Sequence, residues 1–142
     1  MVTETDIEKA IIEILKADSS LYPFTMENTV WAMSPATYPV MNSAVGAILV
    51  SVSYENFQLS DFQKALVNRE WRVTVALGVR NLRSNEKLWE HKSTLMRLLA
   101  FTKPLAEMGK LIPVTSQPFS EQVEGIFWIR MEFSIKNYLG VG

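Results

Sequence analysis

Apolar residues at Ile7, Ala10, Ile11, Ile14 and Leu15 recur at helical spacing, with Glu8, Lys9, Glu13 and Lys16 mostly between them. That pattern predicts an amphipathic helix over Thr5–Ala17, buried along one stripe and solvated along the other. Thr5 followed by Glu8 has the form of a capping box, in which a hydroxyl and a carboxylate satisfy two free backbone N–H groups. A second helix is expected over Ser84–Phe101, with Ser84 as N-cap. Leu88, Leu95 and Leu99 share its face, with Trp89 and Met96 widening it and His91 and Lys92 lying between. Pro104 and Gly109 close that helical region.

Elsewhere the period is two. Over Gly46–Tyr54, Ile48, Val50, Val52 and Tyr54 alternate with Ala47, Leu49, Ser51 and Ser53. Both sets are apolar near the start, as in a central strand. Over Glu70–Val79, Trp71, Val73, Val75, Leu77 and Val79 alternate with Arg72, Thr74, Ala76 and Gly78. Over Glu124–Lys136, Phe127, Ile129, Met131, Phe133 and Ile135 alternate with Trp128, Arg130, Glu132 and Ser134. Such alternation packs one face on a core and turns the other to water or a partner. Lys110–Ser116 contains Pro113 and is expected at a sheet edge.

Two stretches lack a clear period. Asp18–Ser43 carries Pro23, Pro35 and Pro39, which forbid a long helix, and Thr29–Ala32 has the texture of a short edge strand. Glu55–Asn68 mixes Phe57, Leu59 and Phe62 with polar residues and is expected to be a linker between strands, with a helical turn over Asp61–Leu66. Paired strands separated by helices imply an α+β fold: a mainly antiparallel sheet of four to five strands with two helices packed on one face. The 142 residues fit a single domain, 1–142.

Composition removes whole classes of chemistry. The chain has no cysteine, which excludes disulfides, zinc–thiolate sites and thiol catalysis. Its 14 basic and 15 acidic residues make no strong field of one sign. The most apolar run, Ala44–Val52, is far shorter than the roughly 20 residues of a membrane span, and Met1–Asp6 lacks the pattern of a secretory signal. His91 is the one histidine, and no Gly-x-Ser-x-Gly elbow, phosphate loop or Gly-x-Gly-x-x-Gly is present. Glu121 and Glu124 read as solvated loop carboxylates. No enzyme, cofactor or metal is expected, and the expected location is cytoplasmic.

Association remains. Four Trp, seven Phe, four Tyr and seven Met supply residue types enriched at interfaces, although a dense core uses them too. Trp128 beside Arg130 on the polar side of the last strand has an interface composition. Phe57, Leu59 and Phe62 in the linker and Tyr38 in the proline-rich loop are further candidates. Arg69, Arg72, Arg80 and Arg83 make a basic stretch that continues to Arg97, interrupted by Glu70, Glu86 and Glu90. It reads either as a solvated face with ion pairs or as a weak basic patch for nucleic acid or an acidic subunit.

The order of elements carries a resemblance. An amphipathic helix at Asp6–Lys16 is followed by a proline-bearing connection. Strands within Ala47–Val79 and a helix after Asn81-Leu82-Arg83-Ser84 come next. A closing pair then ends in Phe127-Trp128-Ile129-Arg130-Met131-Glu132-Phe133. Over residues 5 to 136 this layout resembles the tail terminator proteins of tailed phages and related prophage elements, the minor tail protein U type. The resemblance implies a non-enzymatic subunit that forms a hexameric ring with copies of itself. It would cap the tail tube protein, end its polymerisation and present a face to the head–tail connector. It further implies a place in the virion tail or, during assembly, the host cytoplasm. DNA would meet it only in passage, with no cofactor, membrane or small-molecule substrate. The alternatives are a nucleic-acid-binding accessory protein using Arg69–Arg97 and a small-molecule-binding α+β domain.

Overall fold

The computed structural model describes residues 2–18, 30–32, 46–61, 66–80, 86–118 and 126–140. Five strands form one sheet: β1 (Val30–Ala32), β2 (Gly46–Asp61), β3 (Leu66–Arg80), β4 (Ile112–Pro118) and β5 (Ile126–Gly140). Their order is β1-β2-β3-β5-β4. β1 runs parallel to β2, and every other pairing is antiparallel. The fold is α+β, with two helices, α1 (Glu4–Lys16) and α2 (Glu86–Leu99), on one face.

The stretch expected to be a linker is a β-ribbon. β2 continues to Asp61 and β3 begins at Leu66, so Glu55–Leu59 pairs with Val67–Trp71. A register shift between Val52 and Tyr54 explains why the pattern was hidden. A bulge adds one residue and reverses the phase of alternation. Before it, even-numbered residues such as Val50 and Val52 stand opposite Val75 and Val73; after it, odd-numbered Glu55, Phe57 and Leu59 stand opposite Trp71, Arg69 and Val67. Under one continuous period the alternation breaks at the bulge. The expected turn over Asp61–Leu66 falls partly outside the described residues, but its two end residues belong to strands.

The first helix also starts earlier than expected. Thr3, not Thr5, is the N-cap: the Asp6 N–H donates to Thr3 Oγ1 at 3.3 Å and the Thr3 N–H donates to Asp6 Oδ2 at 2.9 Å. Glu8, freed from capping, accepts from the Val52 N–H of β2 at 3.3 Å. α2 ends at Leu99 rather than Phe101, and Ser84 lies outside the described residues. The Thr102 hydroxyl donates to the Leu98 carbonyl at 2.7 Å, satisfying one of the last-turn acceptors.

Ile7, Ile11 and Leu15 of α1 and Leu88, Leu95 and Leu99 of α2 are buried against Ile48, Val50, Val73, Val75, Leu77, Ile129, Met131, Phe133 and Ile135. Each such side chain contributes about 1.5–3 kcal/mol relative to exposure. α1 lies over β1 and β2, and α2 over β3 and β5. The opposite face of the sheet is apolar at one end, where Leu49, Ala76 and Trp128 are buried, and polar further along, at Arg72, Thr74, Glu132 and Ser134.

Candidate protein-docking surfaces

The long strands carry the sheet past the start of α1, and there a buried cation holds the corner together. Arg69 pairs with Glu55, and its guanidinium lies 4.3 Å from the Trp71 ring and 5.8 Å from the Phe57 ring. A second guanidinium nitrogen donates to the Val2 carbonyl at 3.5 Å, and the Trp71 indole N–H donates to Glu4 at 3.4 Å. The planar fork and flat π-face of arginine suit this role, which an ammonium would fill less well. Glu4 is held below the ordinary carboxylate range, first by a backbone N–H at the helix start and then by Trp71, Glu55 and Arg69, against the opposing effect of burial.

This geometry separates two members of the expected basic patch, Arg69 and Arg72. Arg69 is buried on the helix side of the sheet. Arg72, three positions on and so of opposite parity in the strand, belongs to the opposite side, 3.8 Å from Glu70 and 3.8 Å from Glu132. The Arg80 side chain and Arg83 lie outside the described residues. Arg69 and Arg72 therefore form no common surface for a phosphate backbone, because residues an odd number of positions apart on a strand point to opposite faces.

The expected aromatic surface is changed as well. Trp128 is only 7% exposed, its ring laid over Gly78 on the neighbouring strand, while Arg130 beside it is exposed. Absence of a side chain at Gly78 gives the indole a slot, so an interface-like sequence encodes burial instead. Phe57 does stand out, at 59% exposure, on the row with Arg69. Leu59 pairs with Val67, but its side chain, like Phe62 and Tyr38, is outside the described residues.

A second apolar surface escaped the sequence reading. Phe101 follows α2 with φ 61° and is 63% exposed. A left-handed backbone costs a non-glycine residue about 1–2 kcal/mol, and glycine is usual after a helix. Two backbone hydrogen bonds fix it: the Phe101 N–H donates to Leu111 O at 2.7 Å and the Leu111 N–H to Thr102 O at 2.8 Å. Beside it, Ile112 and Val114 of β4 are each 45% exposed. β4 ends the sheet order, so among the described residues it has a neighbour on one side only. Pro113 and the bulge at Val114 blunt that edge against strand addition. The available signal was two apolar residues flanking Pro113 in an uncharged strand; nothing in the sequence marks Phe101.

A shallow groove of about 310 Å³ lies between α1 and the turn after α2, lined by Val2, Asp6, Lys9, Ala10, Glu13, Leu105 and Glu107. Among the described residues no cluster suits a metal ion, and no helix is long and apolar enough to cross a membrane.

No family model matches the chain, and no curated protein does. The fold does have solved counterparts. One is a chain of the virion of a native gene transfer agent particle, 14% identical, with a TM-score of 0.64 and an alignment covering 93% of this chain and 94% of that one. At that identity the likeness is one of fold, and it extends over nearly the whole of both chains.

Proposed function

We propose that this protein is a structural subunit of a phage or prophage particle, of the tail terminator type, which closes into a ring on the end of the tail tube. The ring stops tube growth and offers its other face to the connector. The observation that carries this reading is the end-to-end fold likeness to a component of a virion particle. Two apolar surfaces at different places on the subunit, at Phe57 and at Phe101 with Ile112 and Val114, support it. A ring needs head-to-tail contacts between unlike patches. The reading assigns no catalysis and no cofactor. Nucleic-acid binding is disfavoured by the separation of Arg69 from Arg72 on the two faces of the sheet.

The test is to add the purified protein to growing tail tubes and image them by electron microscopy. Capped tubes of restricted length, with density at one end, support the reading; tubes that grow unchanged and bare refute it.

A further inference from the structure

The start of α1 lies across the bulge of β2. Glu8 holds the near side, accepting from the Val52 N–H at 3.3 Å. Glu4 holds the far side: it accepts at 3.4 Å from the indole N–H of Trp71, which stands opposite Glu55 in the register. Glu4 and Glu8 are one turn apart on the same face of the helix, about 6 Å along its axis. The buried Val2 offers its carbonyl to Arg69 at 3.5 Å, and Arg69 pairs with Glu55 of β2. The contacts of Val2 and Glu4 thus reach the sheet beyond the register shift, and that of Glu8 reaches it before the shift.

The outer part of β2 is short of other support. A bulge leaves one residue outside the ladder and bends the strand. Among the described residues β1 ends opposite Val50, so past that point β2 has no strand on its outer side. β4 reaches along β5 as far as Ser134, which stands opposite Arg72, so beyond Arg72 the sheet has three strands. Its β5 margin is tied by the Gly109 N–H, which donates to the Lys136 carbonyl at 2.9 Å. Its β2 margin carries the exposed Phe57, whose ring lies over the Arg69 guanidinium.

We propose that residues Val2–Glu8 are a splint across the bulge. Docked, the splint keeps outer β2 paired with β3 and holds Phe57 over Arg69. Undocked, β2 beyond the bulge opens from β3 while the body of the sheet stays folded, a local opening of the kind that precedes global unfolding. The helix cap sets the balance. Thr3, between Val2 and Glu4, closes the capping box with Asp6, so the hydrogen bonds that start α1 also aim Val2 and Glu4 at the outer strands. The device belongs to the subunit alone and operates whether or not the subunit joins a ring.

The test is native-state amide exchange of the full chain, followed by NMR. Protection is read at the slowest amides of Glu55–Leu59, beyond the bulge, and of Ile48–Val50 and Val73–Leu77, in the body. In the native protein the outer amides should be the less protected set. Thr3 and Glu4 are exposed, so their alanine variants should fold. Thr3→Ala combined with Glu4→Ala should lower the outer protection about fivefold or more, the loss expected from a helix cap and one further hydrogen bond. Thr3→Ser, which keeps the capping hydroxyl, should leave it as it is. Ile129→Val, in the core of the body, should lower the body protection and leave the outer protection unchanged, because that contact survives when outer β2 opens. Outer protection that the Thr3→Ala, Glu4→Ala protein retains in full, or that falls with Ile129→Val as far as the body does, overturns the splint.

Discussion

Trp128 lies across Gly78, its partner in the β3–β5 register, so closely that a Cβ on the glycine would stand 2.8 Å from three ring atoms. Cross-strand pairs of this kind are the units that stabilise a sheet. Replacing Gly78 with alanine should destabilise the fold by about 1–3 kcal/mol, the usual range for forcing extra volume into a packed site. Trp128→Leu in the same chain should recover part of that loss. Urea denaturation of the two single variants and the double variant measures the coupling directly.

The Arg69–Glu55 pair makes a separate prediction. Both side chains are largely buried, at 8% and 16% exposure. Removing one partner leaves a charge without its counterpart, which costs about 3–5 kcal/mol in buried settings. Glu55→Ala should approach the lower part of that range, because Val2 and two aromatic rings still hold the guanidinium. A Glu55→Leu, Arg69→Met double variant should be more stable than Glu55→Ala alone. Thermal denaturation decides the order.

Acid should loosen the start of α1. Asp6 is held below the ordinary carboxylate range by the Thr3 backbone N–H and then by the Thr3 hydroxyl, and Glu4 is lowered as well. A carboxyl with a depressed folded-state pKa contributes stability that is present above its unfolded value and lost as pH falls through the folded value. The contribution should therefore be intact at neutral pH and decline below about pH 4. The protection of the Asp6 and Ile7 amides relative to their intrinsic exchange rates should fall there, and Asp6→Asn should reduce that pH dependence.

Phe101 separates stability from association. Phe101→Gly relieves a left-handed phenylalanine and exchanges a ring that is already 63% exposed. The isolated subunit should gain about 1 kcal/mol, read as a higher urea midpoint. A stabilising substitution that impairs assembly is the signature of a residue retained for a partner.

Much of the fold was legible because periodicity and burial agree. Ile7, Ile11 and Leu15 sit on the predicted stripe, and Trp71, Val73, Val75 and Leu77 on the predicted strand face. β4 was recognisable as an edge from Pro113. The pattern failed where one residue altered the phase: the bulge after Val52 concealed the second half of β2, and with it the pairing that brings Arg69 to Glu55. Composition failed at Trp128, because burial there depends on Gly78, a contact fifty residues away in the chain that no local pattern encodes. It failed at Phe101 because backbone sign is set by the Leu111 contact rather than by the helix sequence itself.

The central claim is that unlike surfaces of this subunit meet to close a ring, and native mass spectrometry of the purified chain across a range of concentrations tests it most directly. The account predicts one discrete closed oligomer, six subunits in the tail-terminator reading, growing in with concentration at the expense of monomer. An open series of sizes without a preferred closed species, or a monomer at every concentration that also leaves tail tubes uncapped, would contradict it.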